Sequence, residues 1–164
     1  MVRVESKWVH HSRDIRTPQD ALISPLPHFT TIEQLIFAEY VRAFNLWGLY
    51  IFDVPLQTVS EDALAKYDPL IAEQIRYLTA FKIDALRVHD DGSVTLIEVK
   101  RRPLLSGIGQ LLSYSKLFRE QYDNPIRELH YVTTFENAAV LRLCEDHNIR
   151  FFSISWLSHL GVRY

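Results

Sequence analysis

The spacing of apolar residues changes along the chain, and these changes predict the order of helices and strands. Between Thr30 and Gly48 apolar side chains recur every three to four positions, as in an amphipathic helix. Thr30 followed three residues later by Glu33 is the sequence of a capping box, which predicts where this helix begins. The next run, LYIFDVPLQ, is rich in β-forming residues and predicts a strand up to Pro55.

The second half of the chain predicts a hairpin and then alternating helices and strands. Segment 60–77 predicts one or two helical turns broken at Pro69, inserted before the next strand. AFKIDALRVH and SVTLIEVK, separated by Asp90-Asp91-Gly92, predict a β-hairpin. Beyond it the pattern predicts a helix with Ser106 as its N-cap, then a strand, a helix and a strand: SGIGQLLSYSKLFREQY, LHYVTTF, NAAVLRLCEDHNI and RFFSIS.

This order of elements predicts an α/β domain in which helices cover a mixed sheet. A length of 164 residues suits one domain with one core. Residues 1–29 contain three prolines and scattered charges, and we interpret them as an N-terminal arm with one short strand in VRVESKWV. Residues 30–164 then form the domain, with 60–77 as a helical insertion.

Composition and charge limit the kinds of partner. The chain has no apolar run long enough for a membrane span and no signal-peptide pattern, so we expect a soluble, cytoplasmic protein with no membrane partner. Cys144 is the only cysteine and continues an apolar helical stripe, which favours a buried core position in a reducing compartment. With a formal charge of −2, binding of nucleic acid would require clustered basic residues or a partner.

The stretch LIEVK places opposite charges on one face of an apolar strand, because side chains alternate and Glu98 and Lys100 are two apart. The position of Asp84 depends on the hairpin loop. A two-residue turn sets Asp84 opposite Val99, whereas a three-residue loop sets it opposite Glu98. We favour the three-residue loop because that class prefers glycine at its last position, here Gly92.

In that register Asp84 and Glu98 lie close together, and two neighbouring carboxylates repel unless a cation lies between them. Oxygen ligands from both, with the Val99 carbonyl, suit Mg²⁺ or Mn²⁺. Lys100 could orient a water or stabilise charge on phosphorus. The alternative is an ordinary salt bridge at the end of a strand, since charged residues near hairpins are common.

Three motifs in order resemble the PD-(D/E)xK nuclease superfamily, particularly its RecB-like and Holliday-junction-resolvase-like branches: KIDAL, then LIEVK, then GQLLSY in the following helix. The resemblance covers roughly residues 30–155, with its motifs within 82–114. The proline that often precedes the first acid is replaced by Ile83. The resemblance implies a restriction-endonuclease-like, three-layer α/β/α fold with a central mixed sheet.

The resemblance also implies roles for residues. Asp84 and Glu98 become metal ligands, Lys100 the catalytic lysine, and Gln110 and Tyr114, on one helical face, brace the site or contact phosphate. The first helix often adds a carboxylate, for which Glu33 is the first choice and Glu39 the second; a capping role is the alternative for Glu33. The residues expected to contact the nucleic-acid backbone are Lys82, Arg101, Arg102, Lys116 and Arg119, with Tyr114 beside them, although a solvated helix face explains Lys116 and Arg119 equally well.

We therefore expect a Mg²⁺-dependent (or Mn²⁺-dependent) deoxyribonuclease that acts in repair, recombination, restriction or a mobile element, alone, as a homodimer or with a protein partner. One alternative is a nuclease-like subunit that binds nucleic acid or serves as a scaffold and is inactive alone. Another is a protein-interaction domain without a nucleic-acid role.

Overall fold

A mixed sheet of six strands forms the middle layer of the protein. The structure, a computed structural model, describes residues 12–23, 25–26 and 28–155. Neighbouring strands from β1 to β4 are antiparallel, whereas β4, β5 and β6 are parallel. In their order across the sheet the strands are β1 (Ser12–Ile15), β2 (Gly48–Leu56), β3 (Phe81–Val88), β4 (Val94–Val99), β5 (Ile126–Thr133) and β6 (Ile149–Ser153).

Helices cover both faces of this sheet. They are α1 (Pro18–Leu22), α2 (Thr31–Ala43), α3 (Glu61–Leu64), α4 (Pro69–Thr79), α5 (Leu105–Gln121) and α6 (Ala138–Asp146). Residues of α1 and α2 pack with Phe52 and Ile97 in one core, and residues of α5 and α6 pack with Leu96 in a second core. Cys144 is buried in the second core, as predicted. The predicted three-layer α/β/α arrangement around a mixed sheet is confirmed.

Helix α2 begins at the predicted capping box. The Thr30 hydroxyl oxygen accepts from the Glu33 backbone N–H at 3.3 Å, and a Glu33 carboxylate oxygen accepts from the Thr30 backbone N–H at 3.0 Å. These two bonds satisfy backbone donors that the first turn of a helix otherwise leaves unpaired. The N-terminus of α2 is therefore fixed by its own sequence.

The hairpin between β3 and β4 closes through the predicted three-residue loop. The His89 backbone N–H donates to the Ser93 carbonyl at 2.9 Å, leaving residues 90–92 as the loop. Gly92 has a φ of 83°, in the left-handed region that glycine adopts at little cost. The paired positions, such as Leu86 with Leu96, follow from this loop length.

Helix α5 begins two residues earlier than predicted, so Ser106 as its N-cap is wrong. The N-cap is Leu104, whose backbone N–H donates to the Tyr131 hydroxyl at 2.8 Å. The same hydroxyl donates to the Leu104 carbonyl at 2.9 Å. Gly107 allows this contact, because a Cβ there would lie 2.6 Å from the Tyr131 ring. A tyrosine from β5 thus replaces the capping side chain that the local sequence lacks.

Part of the segment interpreted as an arm packs in the domain. Strand β1 pairs with β2 at the sheet edge, and Ile15, Ala21 and Leu26 are buried in the core beneath α2. The strand predicted in VRVESKWV lies outside the described residues. The break predicted in the 60–77 insertion is present, since Pro69 is the first residue of α4. Within the described ranges, no helix combines the length and apolar character needed to cross a bilayer.

Candidate active site

The hairpin brings the two predicted acids to one place. The ladder between β3 and β4 pairs Ala85 with Ile97, and the same register sets Asp84 opposite Glu98. An Asp84 carboxylate oxygen accepts from the backbone N–H of Val99 at 2.8 Å, which ties the acid to the neighbouring strand. The structure therefore has the register from which the sequence predicted a shared carboxylate site.

Glu98 is the most buried charge of this site, with 1% of the residue exposed. Its Oε1 contacts the ammonium group of Lys100, but without hydrogen-bond geometry. Its Oε2 has no hydrogen-bond partner within the described part of the chain. A buried carboxylate oxygen without a donor is costly, and it marks a place where a cation or donor would be stabilising.

The surroundings of Asp84 and Glu98 disfavour the ionised form of each carboxyl group. Burial raises the pKa of Glu98, and the Asp84 carboxylate raises it further, while Lys100 acts in the opposite direction. Burial also raises the pKa of Asp84, against the effect of Lys100 and of the Val99 N–H. Two carboxylates that each resist ionisation are poised to bind a positive charge.

Lys100 remains strongly basic in this site. Burial lowers its pKa, but the charges of Glu98, Asp84 and Glu33 outweigh burial, and the net pKa is raised. A protonated lysine therefore lies between the acids and the solvent. Its position suits a role toward an attacking water or a charged phosphate oxygen.

Of the two acids considered on α2, Glu33 is the one whose charge reaches the site. It raises the pKa of both Asp84 and Glu98. Glu39 instead forms an ion pair with Arg42 at 2.8 Å on the outer surface of the helix. Glu33 also completes the capping box. Its carboxylate therefore both caps α2 and adds negative charge near the acids.

Helix α5 presents its predicted pair to the same place. The Gln110 side-chain amide donates to the Tyr114 hydroxyl at 3.2 Å. Burial raises the pKa of Tyr114, and so do the nearby charges of Glu98 and Asp84. The charges of both acids therefore act on the phenol of Tyr114.

The predicted basic residues divide into two groups. Arg101 and Arg102 directly follow the site lysine, Arg101 partly buried and Arg102 exposed. Lys116 and Arg119 are exposed on α5, but a helix with 3.6 residues per turn places them roughly 120° and 180° away from Gln110. Lys116 and Arg119 therefore do not face the site, in line with the solvated-face alternative.

Next to the acids lies a cluster that sequence analysis missed. Asp53 on β2 stands opposite Asp84 in the register and has a left-handed φ of 57°. Its Oδ2 lies 3.3 Å from the ammonium of Lys82, and its Oδ1 lies 2.5 Å from the His28 ring. Asp53 could have been recognised as a candidate from the sequence, because it is a carboxylate within the otherwise apolar run LYIFDVPLQ. His28 gave no such signal, since it directly follows Pro27 at the end of the predicted arm.

Oxygen groups available to a cation are the Asp84 and Glu98 carboxylates and the Val99 carbonyl. Across the described ranges, no group of three or more His, Cys, Asp or Glu residues gathers in a metal-binding arrangement. A two-carboxylate site is nonetheless usual for Mg²⁺, which keeps several waters and binds through one or two carboxylates with substrate phosphate.

Comparison with known proteins adds little beyond this geometry. No family model matches the chain, and no curated protein matches it. Among solved structures, the crystal structure of a repair endonuclease from Pyrococcus abyssi is similar, with 22% identity and a TM-score of 0.39. The match covers 64% of this chain and 51% of that chain, so it spans about half of the endonuclease. At this similarity, function has to be inferred from the site itself.

Proposed function

We propose that this protein is a metal-dependent nuclease that hydrolyses phosphodiester bonds in DNA. The observation that carries the proposal is the hairpin register, which joins Asp84, the buried Glu98 and Lys100 in one patch. The resemblance of KIDAL, LIEVK and GQLLSY to PD-(D/E)xK nucleases supports the same conclusion. These residue types supply what phosphoryl chemistry requires, namely oxygen ligands and a fixed positive charge.

The donor set fits a hard divalent cation, Mg²⁺ or Mn²⁺. Among the described residues Glu98 Oε2 has no hydrogen-bond donor, and the raised pKa values of both acids indicate a site short of positive charge even with Lys100 present. Asp84, Glu98 and the Val99 carbonyl would hold the ion. When bound, it supplies Lewis-acid stabilisation of charge on the phosphate and makes a bound water more acidic.

The other side chains orient the reacting groups. Lys100, held against Glu98, donates to the attacking water or to a non-bridging phosphate oxygen. Gln110 fixes the Tyr114 hydroxyl, which can donate to the DNA backbone. Lys82, Arg101 and Arg102 would provide positive charge for the strand. A net charge of −2 favours a second copy of the chain or a protein partner that helps to hold DNA.

A cleavage assay on single-stranded, duplex and branched DNA with Mg²⁺ or Mn²⁺ tests the proposal. Asn in place of Asp84 keeps an acceptor for the Val99 N–H but removes the charge, so we expect Asp84→Asn to fold normally and to lose cleavage by about a hundredfold or more. Asp90→Asn, in the exposed loop of the same hairpin, should cleave like the wild type. Equal activity of both variants would contradict the proposed site.

The alternative is a DNA-binding or scaffold subunit that is inactive alone. The negative net charge favours it, as does the contact of Lys100 with Glu98, which partly neutralises the acid without a metal. DNA binding by the wild type without cleavage of any substrate, and unchanged binding by Asp84→Asn, would support this alternative.

Glu33→Gln separates the two roles of that residue. Glutamine at the third helical position still completes a capping box, so the stability of α2 should change little. Loss of the charge should weaken Mn²⁺ binding roughly three- to tenfold, as expected for a carboxylate that acts at a distance. Calorimetric titration measures this, with Glu39→Gln as the control because Glu39 is paired with Arg42. Identical affinities would limit Glu33 to capping.

A further inference from the structure

An open recess lies beside the acids, between helix α4 and the start of β3. It has a volume of about 400 Å³ and is lined by His28, Tyr77, Leu78, Phe81, Lys82 and Tyr114. Its volume falls within the range of sites that bind small organic groups. Of these residues only Lys82 and Tyr114 have a role in the proposed chemistry.

The lining is aromatic and open to solvent. Phe81 is 50% exposed, Tyr77 66% and Leu78 78%. The Phe81 and Tyr114 rings lie 5.9 Å apart with planes inclined by 32°, so Phe81 is supported from one side and open on the other. Exposed rings of this kind at one site are unusual on a protein surface, and they offer faces on which a flat group can stack.

The recess lies near the candidate active site. Phe81 precedes Asp84 by three residues of the same strand, roughly 10 Å of extended chain. Tyr114 belongs to both places, since its ring packs near Phe81 and its hydroxyl accepts from Gln110. A group seated on Phe81 would therefore adjoin a phosphate held at the acids.

Positive charge borders the recess. The Lys82 ammonium lies 4.3 Å from the centroid of the Tyr77 ring and 3.3 Å from Asp53 Oδ2, and these contacts hold it at the wall. The His28 ring stands 3.4 Å from the same ammonium. Aromatic faces beside a fixed cation complement a nucleotide, which joins a flat base to an anionic phosphate.

We infer that this recess binds one unpaired base of a DNA strand whose neighbouring phosphate lies at Asp84 and Glu98. The inference rests on the proposed nuclease function and names its substrate class, which is DNA with at least one unpaired nucleotide, as in a single strand, a flap or a bubble. A base inside a duplex is stacked on both faces and cannot enter a recess without leaving the helix. Stacking on Phe81 is available to any base, so the recess selects for strand state and not for sequence.

Metal-free binding tests the inference separately from catalysis. Fluorescence anisotropy in EDTA compares a labelled oligothymidylate with a blunt duplex of equal length. Phe81→Ala should weaken single-strand binding about fivefold to a hundredfold and leave duplex binding unchanged. Phe81→Tyr should restore it. Phe44→Ala is the matched control, because Phe44 is 43% exposed and packs near Phe152 at the far end of α2.

A second measurement keeps the protein unchanged, in case Phe81→Ala does not fold. A strand that is abasic at every position is compared with an oligothymidylate of the same length, and the wild type should bind the abasic strand more weakly because no base can stack on Phe81. Equal affinity for these two strands, or equal single-strand binding by Phe81→Ala and the wild type, would overturn the inference.

The two proposals fail in different ways. Cleavage with Mg²⁺ and no effect of Phe81→Ala would overturn the recess and keep the nuclease. Single-strand binding that depends on Phe81, without cleavage of any DNA, would keep the recess as a binding site and overturn the nuclease. Absence of DNA binding by the wild type would overturn both.

Discussion

Glu98→Gln is expected to abolish binding of Mg²⁺ or Mn²⁺ and DNA cleavage without destabilising the metal-free protein. Cleavage and metal affinity should each fall about a hundredfold or more. Mutation of a residue that only hydrogen-bonds to a metal ligand already lowers metal affinity or activity 10- to 100-fold, and Glu98 is a proposed ligand itself. The fold should persist because the pKa of Glu98 is raised despite its contact with Lys100. The folded state thus favours the neutral acid, and glutamine is its nearest isostere.

Calorimetric titration and thermal unfolding, each with and without metal, measure this result. We expect added Mn²⁺ to raise the melting temperature of the wild type and to leave Glu98→Gln unchanged. Glu120→Gln, at an exposed position of α5, serves as the control and should respond like the wild type. A Glu98→Gln protein that binds metal normally would return Glu98 to the role of a buried partner for Lys100.

Lys100→Met is expected to abolish cleavage while keeping, or improving, metal binding. Removal of a positioned donor of this kind costs about 10²- to 10³-fold in rate. Its ammonium contacts Glu98 Oε1, where it competes with any other cation for the same oxygen. Without it the pKa values of both acids should rise further, and added Mn²⁺ should raise the melting temperature of Lys100→Met at least as much as that of the wild type.

Single-turnover cleavage and metal titration on the same samples separate these effects. Lys116→Met is the control, because Lys116 is exposed on α5 and does not face the acids. Weaker metal binding in Lys100→Met would contradict competition between the two cations. Retained cleavage would remove Lys100 from the chemistry.

Sequence predicted those parts of the fold that short-range chemistry determines. The capping box at Thr30 and Glu33 fixes the start of α2, and Gly92 permits the hairpin loop, so both could be recognised locally. The start of α5 could not, because Leu104 is capped by Tyr131 from a strand 27 residues away. Ile15 and Ala21 were likewise hidden, since only packing beneath α2 makes them core residues.

The candidate site shows the same division. The hairpin register implied that Asp84, Glu98 and Lys100 lie together, and the resemblance implied that Gln110 and Tyr114 of the following helix join them. The recess instead combines His28, the end of α4 and Phe81, which no periodicity relates to one another. Its residues are brought together only by the tertiary fold.

The three-residue loop at 90–92 has a consequence for how this chain can change in length. It lies about six residues, roughly 20 Å, from Asp84, and its residues touch none of the proposed chemistry. The acids face each other only while His89 closes the loop on Ser93. Closure between Asp90 and Ser93 would instead pair Asp84 with Val99 and turn it to the face opposite Glu98, and a single deletion in β3 between Asp84 and His89 would also turn it away by setting it opposite Ile97. Substitutions in the loop leave the register intact. The acids thus depend on the number of residues that separate them from a remote turn more than on the identity of those residues.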